Sequence, residues 1–135
     1  MGMRLGTDLC DPSRIEKVLR RYGKKFVTRI LTAEEQELLE FGFNQRSFKP
    51  SLSHRIAARY AAKEAVAKAL GTGIGKEVAF HDILILKKEN CGAPYIKLTG
   101  NAVNVAEKLN INKWEISISH EKAMSVAIVI AYNED

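Results

Sequence analysis

Long apolar runs are missing from this 135-residue chain: no stretch approaches the roughly 20 residues that cross a bilayer. The opening MGMRLGTDLC lacks the apolar core of a secretion signal, and Gly6 stands where a myristoylation pattern requires Ser or Thr. Cysteine is scarce. Cys10 and Cys91 form no CxxC pair, and two such thiols without a secretion signal fit a reducing, cytoplasmic compartment. The histidines His54, His81 and His120 are scattered, which argues against a zinc site. No Walker spacing, GxSxG nucleophile elbow, internal repeat, low-complexity tract or linker occurs. What remains is one domain over residues 1–135, with an apolar share of 46% that is sufficient for a buried core.

Positive charge is present and unevenly placed. Between Pro12 and Arg29 there are seven basic residues against the single acid Glu16, so this segment accounts for the net charge of +5 and leaves the rest close to neutral. A partner rich in phosphate or carboxylate is expected there. Asp11-Pro12 reads as a helix start, because Asp caps and Pro lacks an N–H the first turn does not use. Ile15, Val18, Leu19 and Tyr22 then recur on an inward stripe, and Gly23 suits the stop. Arg14, Lys17, Arg21 and Lys24 form an outward stripe.

Met3 to Leu9 reads as a short strand with Asp8 near its end. Thr32 with Glu35 forms a capping box for a second helix, and Gly42 to Ser53 reads as a loop. A third helix runs from about His54 to Leu70, with alanines around most of its circumference, and stops at Gly71-Thr72-Gly73. Asp82–Lys88 and Tyr95–Leu98 flank a turn and suggest a hairpin. Thr99 caps a fourth helix through Leu109, and two strands close the chain at Trp114–Ser119 and Ser125–Tyr132. The expected class is α+β: a mostly antiparallel sheet packed against a long Ala-rich helix.

Three groups of residues could carry chemistry. Asp8, two residues after Gly6, places a carboxylate at a strand end where a ligand can approach; it could equally cap the next helix. Glu64 and Lys68 share a helical face at i, i+4, which is an ordinary surface pair unless the surrounding alanines bury it. Lys63 faces elsewhere and reads as solvated. Ser117-Ile118-Ser119-His120 ends a strand in polar residues, suiting ligand binding and plain strand closure equally well. Magnesium prefers octahedral oxygen, commonly one or two carboxylates with waters and substrate phosphates. Asp8 and Glu64 can supply such a pair, and the Gly71–Gly75 turn could offer backbone N–H groups to phosphate.

In order along the chain, Gly6-Thr7-Asp8, Arg29-Ile30-Leu31-Thr32, Arg59-Tyr60-Ala61-Ala62-Lys63-Glu64-Ala65, Lys68-Ala69-Leu70-Gly71-Thr72-Gly73, Gly92-Ala93-Pro94-Tyr95 and Ser117-Ile118-Ser119-His120 resemble the holo-acyl-carrier-protein synthase family of phosphopantetheinyl transferases. The resemblance implies a cytoplasmic homotrimer with active sites in the clefts between subunits. It implies an enzyme of fatty acid biosynthesis that moves phosphopantetheine from coenzyme A to a serine of an acidic acyl-carrier protein. Asp8 and Glu64 then match the magnesium ligands. Arg59, Lys68, Gly71, Thr72, Gly73, Pro94 and His120 fall in coenzyme A-binding regions. Asp8, Glu64 and Lys68 are the expected catalytic residues, with a carboxylate and a metal-bound water both open as acceptors of the serine proton. The stripe Arg14, Lys17, Arg21 and Lys24 becomes the carrier-docking face. Three features depart from the family pattern: Arg4 where another glycine is frequent, Tyr60 where Phe or Trp is common, and the long Gly42–Ser53 loop with Arg46 and Lys49. A nucleic-acid module would explain the basic stripe but leave Asp8, Glu64 and the Ala-rich helix without a role, so neither nucleic acid nor membrane is an expected partner.

Overall fold

The structure, a computed structural model, describes residues 2–39 and 50–135. Strand β1, Arg4–Cys10, turns Gly6, Asp8 and Cys10 to one side and Leu5 and Leu9 to the other. Asp11 follows, and its carboxylate accepts the Ser13 N–H at 2.8 Å to start α1, Pro12–Tyr22. Gly23, at φ 56°, ends that helix and donates its N–H to Leu19 O at 2.8 Å.

Two details depart from the sequence reading here. Tyr22 does not join Ile15 and Leu19 in the core; it is 53% exposed, with the Arg21 guanidinium 5.3 Å from its ring centre. It is the last helical residue, so the chain turns away before its side chain is covered. A short helix, α2 over Lys24–Ile30, starts directly after Gly23 and buries Val27 and Ile30. Lys24 therefore belongs to α2, and the expected cationic stripe runs over two helices. The capping box forms as expected: Thr32 and Glu35 exchange bonds at the start of α3, Ala33–Leu38.

Helix α4 spans Pro50–Leu70, beginning four residues earlier than expected and taking in part of the expected loop. The other loop residues, Gly42–Lys49 with Arg46 and Lys49, lie outside the described residues. Ala57, Ala58, Ala61, Ala62, Ala65, Ala67 and Ala69 are all buried. Such a helix has neighbours on every side and no amphipathic stripe. It lies against β1, α1 and β5. At Gly6 the approach is so close that a Cβ would collide with the Ala65 carbonyl oxygen, which demands glycine.

A 3-10 turn at Phe80–Asp82 leads into the hairpin β2 (Ile83–Lys87) and β3 (Pro94–Leu98). Helix α5, Gly100–Lys108, follows, then β4 (Lys113–Glu121) and β5 (Met124–Tyr132). The strands form two antiparallel sheets and not the one expected: β1-β5-β4, with Asp8 opposite Ala127, and β2-β3. Ala127, Val129 and Ala131 of β5 turn into the core, while Ile128 faces outward beside Leu5 and Leu9 of β1.

Candidate active site

Helix α4 separates two cavities. The smaller, about 330 Å³, lies among β1, α1, α2 and α4. Asp8 reaches it because strand alternation turns it to the α4 side, and Glu64 enters from α4 itself. Tyr60, one helical turn before Glu64, and Arg14 of α1 share this cavity, with Ile15, Val18 and Phe26 as apolar wall. Burial, and then the Asp8 charge, push the Glu64 carboxyl above the usual range; Lys68 and the Tyr60 hydroxyl oppose them. Burial pushes the Tyr60 hydroxyl up, and Glu64 adds to it. Cys10 behaves likewise, its thiol pushed up to about 11, mainly by burial.

Lys68 meets a different partner from the one that helical spacing suggests. Its Nζ donates to Asp8 Oδ1 at 2.9 Å and to Thr7 O at 3.0 Å, crossing from α4 to β1. The lysine side chain is half exposed, while that of Asp8 keeps 18% of its surface. Two carboxylates and one lysine thus share one side of the helix. Burial and mutual repulsion make the doubly ionised state costly, and a small hard cation would relieve that cost. The donor set fits magnesium, which takes carboxylate oxygens and leaves positions for water and phosphate. Among the described residues no group of three or more His, Cys, Asp or Glu side chains gathers that could hold a metal ion, so a cation on Asp8 and Glu64 would take its other ligands from water and phosphate.

The larger cavity, about 600 Å³, opens between α4, the β2-β3 hairpin and β4. It brings together Arg59, Pro94 and His120, three of the residues expected to bind a coenzyme, on largely apolar walls. Arg59 is only 7% exposed, and its Nε, itself shielded from solvent, has no hydrogen-bond partner, which leaves the guanidinium under-satisfied at the cavity wall. His54, Arg55 and Lys87 also line this cavity, and the sequence reading gave them no role. Arg55 could have been found, since it precedes Arg59 by one helical turn; Lys87 had no such signal. The other expected residues lie elsewhere. Gly71 and Thr72 line a third cavity of about 310 Å³ with Asn101, Asn104 and Lys108. Gly73, at φ 65°, donates its N–H to Ala67 O at 3.1 Å as α4 ends.

The reading of Lys63 as solvated is overturned. Its side chain is wholly buried, with Nζ 2.6 Å from Glu35 Oε1 and 2.9 Å from Phe80 O. The reason is tertiary: α3 and the 3-10 turn cover that side of α4, and Glu35 supplies the counter-charge that burial demands. Of the docking residues, Arg14, Lys17 and Arg21 are exposed on α1, and Lys24 is exposed on α2.

Comparison with known proteins agrees over nearly the whole chain. The profile of the 4'-phosphopantetheinyl transferase superfamily matches residues 4–129. The holo-[acyl-carrier-protein] synthase of Ruminiclostridium cellulolyticum is 41% identical over 130 residues, covering 96% of this chain and 92% of that protein. The crystal structure of the Neisseria meningitidis holo-[acyl-carrier-protein] synthase superposes with a TM-score of 0.81 at 33% identity, covering 96% of this chain and 98% of that one. The Helicobacter pylori holo-[acyl-carrier-protein] synthase in complex with coenzyme A gives 0.77 at 35% identity, covering 95% and 99%. With matches of this extent, the chain belongs to the 4'-phosphopantetheinyl transferase superfamily, among the holo-[acyl-carrier-protein] synthases.

Proposed function

We propose that this protein transfers the 4'-phosphopantetheine group of coenzyme A to a serine of an apo-acyl-carrier protein, giving the holo-carrier and adenosine 3',5'-bisphosphate. The observation that carries the reading is the meeting of Asp8, Glu64 and Lys68 on one side of α4. Asp8 and Glu64 would hold magnesium, which supplies charge neutralisation and polarisation of the phosphate under attack. Lys68 places its ammonium where negative charge develops on the phosphate oxygens or the leaving group. The large cavity suits coenzyme A: the unpaired Arg59 donor and the neighbouring Arg55 and Lys87 favour phosphate, and its apolar walls favour the rest of the ligand. The attacking hydroxyl belongs to the carrier, so no serine of this chain needs to act as nucleophile.

A trimer with active sites between subunits fits two features of the single chain. Leu5, Leu9 and Ile128 leave an apolar patch on the outer face of the three-stranded sheet. Arg59 and Lys68 are separated by roughly 13 Å along α4, at about 1.5 Å per residue, and the Gly71–Gly73 turn lies beyond them. One molecule of coenzyme A reaches all these groups more readily if neighbouring subunits each supply part of the site. The exposed cations Arg14, Lys17, Arg21 and Lys24 would dock the acidic carrier beside Asp8 and Glu64, since Arg14 already borders their cavity. We place the enzyme in the cytoplasm, serving fatty acid biosynthesis; both cysteines are free, and no described helix is long and apolar enough to cross a membrane. The test is incubation with coenzyme A, magnesium and an apo-carrier protein. The carrier should gain the mass of one phosphopantetheine group, and an unchanged carrier mass would refute the proposal.

A further inference from the structure

Lys63 and Glu35 take no part in the chemistry proposed above, yet they form an ion pair with no solvent exposure on either side chain. Glu35 is fully engaged: Oε1 accepts from the Thr32 N–H at 3.0 Å, the Thr32 hydroxyl at 3.3 Å and Lys63, while Oε2 accepts the Ile85 N–H at 3.1 Å. An apolar pair of similar volume would often hold α3, α4 and β2 together as well as this does. The placement of the charges is more specific than packing requires.

Arg59 lies one helical turn before Lys63 on the same stripe of α4 and is almost as deeply buried. Its Nη1 makes a long hydrogen bond to Arg55 O at 3.4 Å, and its Nε is unpartnered. The Glu35 charge is near enough to favour the Arg59 cation, though burial and Arg55 oppose it. Two buried cations on one helical stripe therefore feel the same carboxylate, and Lys63 is the one paired with it. Arg59 is left with its donors at the wall of the large cavity.

We propose that Lys63 is a positioning residue for coenzyme A recognition: by occupying Glu35, it prevents that carboxylate from capturing Arg59 and keeps the guanidinium available to an anionic group of the ligand. The inference rests on the reading of Arg59 as a coenzyme A contact. Without Lys63, the buried Glu35 is uncompensated, and the nearest long cation on the same helical stripe is Arg59. Removing Glu35 instead leaves Arg59 nothing to turn towards.

The experiment compares Lys63→Met with Glu35→Gln in steady-state transfer, after wild-type protein has been shown to modify the carrier; absent wild-type transfer would refute the functional reading itself. Both substitutions open the same buried pair, so a purely structural role predicts parallel changes in melting temperature and in kinetics. The positioning role predicts that Lys63→Met raises the KM for coenzyme A about tenfold or more, as expected for loss of a charge-assisted contact, with little change in the carrier KM. Glu35→Gln should keep the wild-type KM for coenzyme A despite its lower melting temperature, and Lys63→Arg should restore it. Lys63→Gln, which keeps a donor towards Glu35 but no charge, replaces Lys63→Met if the latter does not fold. A normal coenzyme A KM in a folded neutral variant at Lys63, or a raised one in Glu35→Gln, would overturn the inference.

Discussion

Lys63 and Glu64 are consecutive residues of one helix, about 100° apart around its axis, and their surroundings give them opposite duties. On the Lys63 side, α3, β2 and the 3-10 turn exclude water, and the lysine is matched by Glu35 at 2.6 Å. On the Glu64 side a cavity remains, Asp8 adds a second negative charge, and Lys68 is half exposed. The first arrangement is satisfied and holds elements in place. The second keeps open volume and a repulsion between carboxylates that Lys68 offsets only in part, an arrangement suited to a cation and phosphate. Neither a charge nor its place in a motif identifies function; what matters is whether the fold has already supplied its partner.

Substitution of the two lysines of α4 sharpens that contrast, and the largest effect is expected at Lys63. Lys63→Met removes the buried partner of Glu35 and should cost up to about 3–5 kcal/mol, less what a redirected Arg59 restores, a fall in Tm of up to roughly 10–20 °C for a chain of this size. Lys68→Ala removes a pair with a half-exposed lysine, worth less than about 1 kcal/mol, so thermal unfolding should barely move. Its transfer rate or coenzyme A KM should nonetheless worsen by about tenfold or more. Equal melting losses at the two positions, or unchanged kinetics in Lys68→Ala, would break the comparison.

Much of this was legible in the sequence, for local reasons. Asp11-Pro12 and Thr32 with Glu35 cap helices through bonds spanning two or three residues, so local residue order located them. The ends of α4 were less legible: Gly71 marks its stop, but the Ser-rich approach to His54 concealed four residues of helix. Helix α2 carries only seven residues and no side-chain cap, and so gives little periodic signal. The errors over the lysines have a common cause. Lys63 is paired with a residue 28 positions away and Lys68 with one 60 positions away; helical spacing cannot report such partners. Asp8 and Glu64 do line one cavity, as the sequence reading grouped them, although 56 positions separate them.

Smaller effects are expected away from α4. Lys17→Glu combined with Arg21→Glu, both outside the lining of the Asp8–Glu64 cavity, should raise the carrier KM by roughly tenfold at low salt while leaving the coenzyme A KM nearly unchanged. The wild-type carrier KM should itself rise with ionic strength, because exposed charges are screened. Carrier kinetics that survive the double reversal would move the docking surface elsewhere. The two cysteines should also separate in a labelling experiment. Cys91 is exposed, whereas Cys10 is buried with its thiol pushed up to about 11, so a thiol reagent at pH 8 should modify Cys91 rapidly and spare Cys10 until the protein unfolds. Fast labelling of both in the native protein would show that the small cavity, which Cys10 also lines, is more open than the structure indicates.

The most direct measurement is the single-turnover transfer rate of Asp8→Ala and Glu64→Ala beside wild type, at limiting magnesium, with each variant's melting curve recorded in the same buffer. Both carboxylates lie on the cavity side of α4, and neither has a fully buried ion pair such as Lys63 makes with Glu35. Each variant should therefore lose at least about a hundredfold in rate while its Tm stays close to that of wild type. A folded variant at either position that transfers phosphopantetheine at nearly the wild-type rate would contradict the assignment of the reaction to this side of the helix.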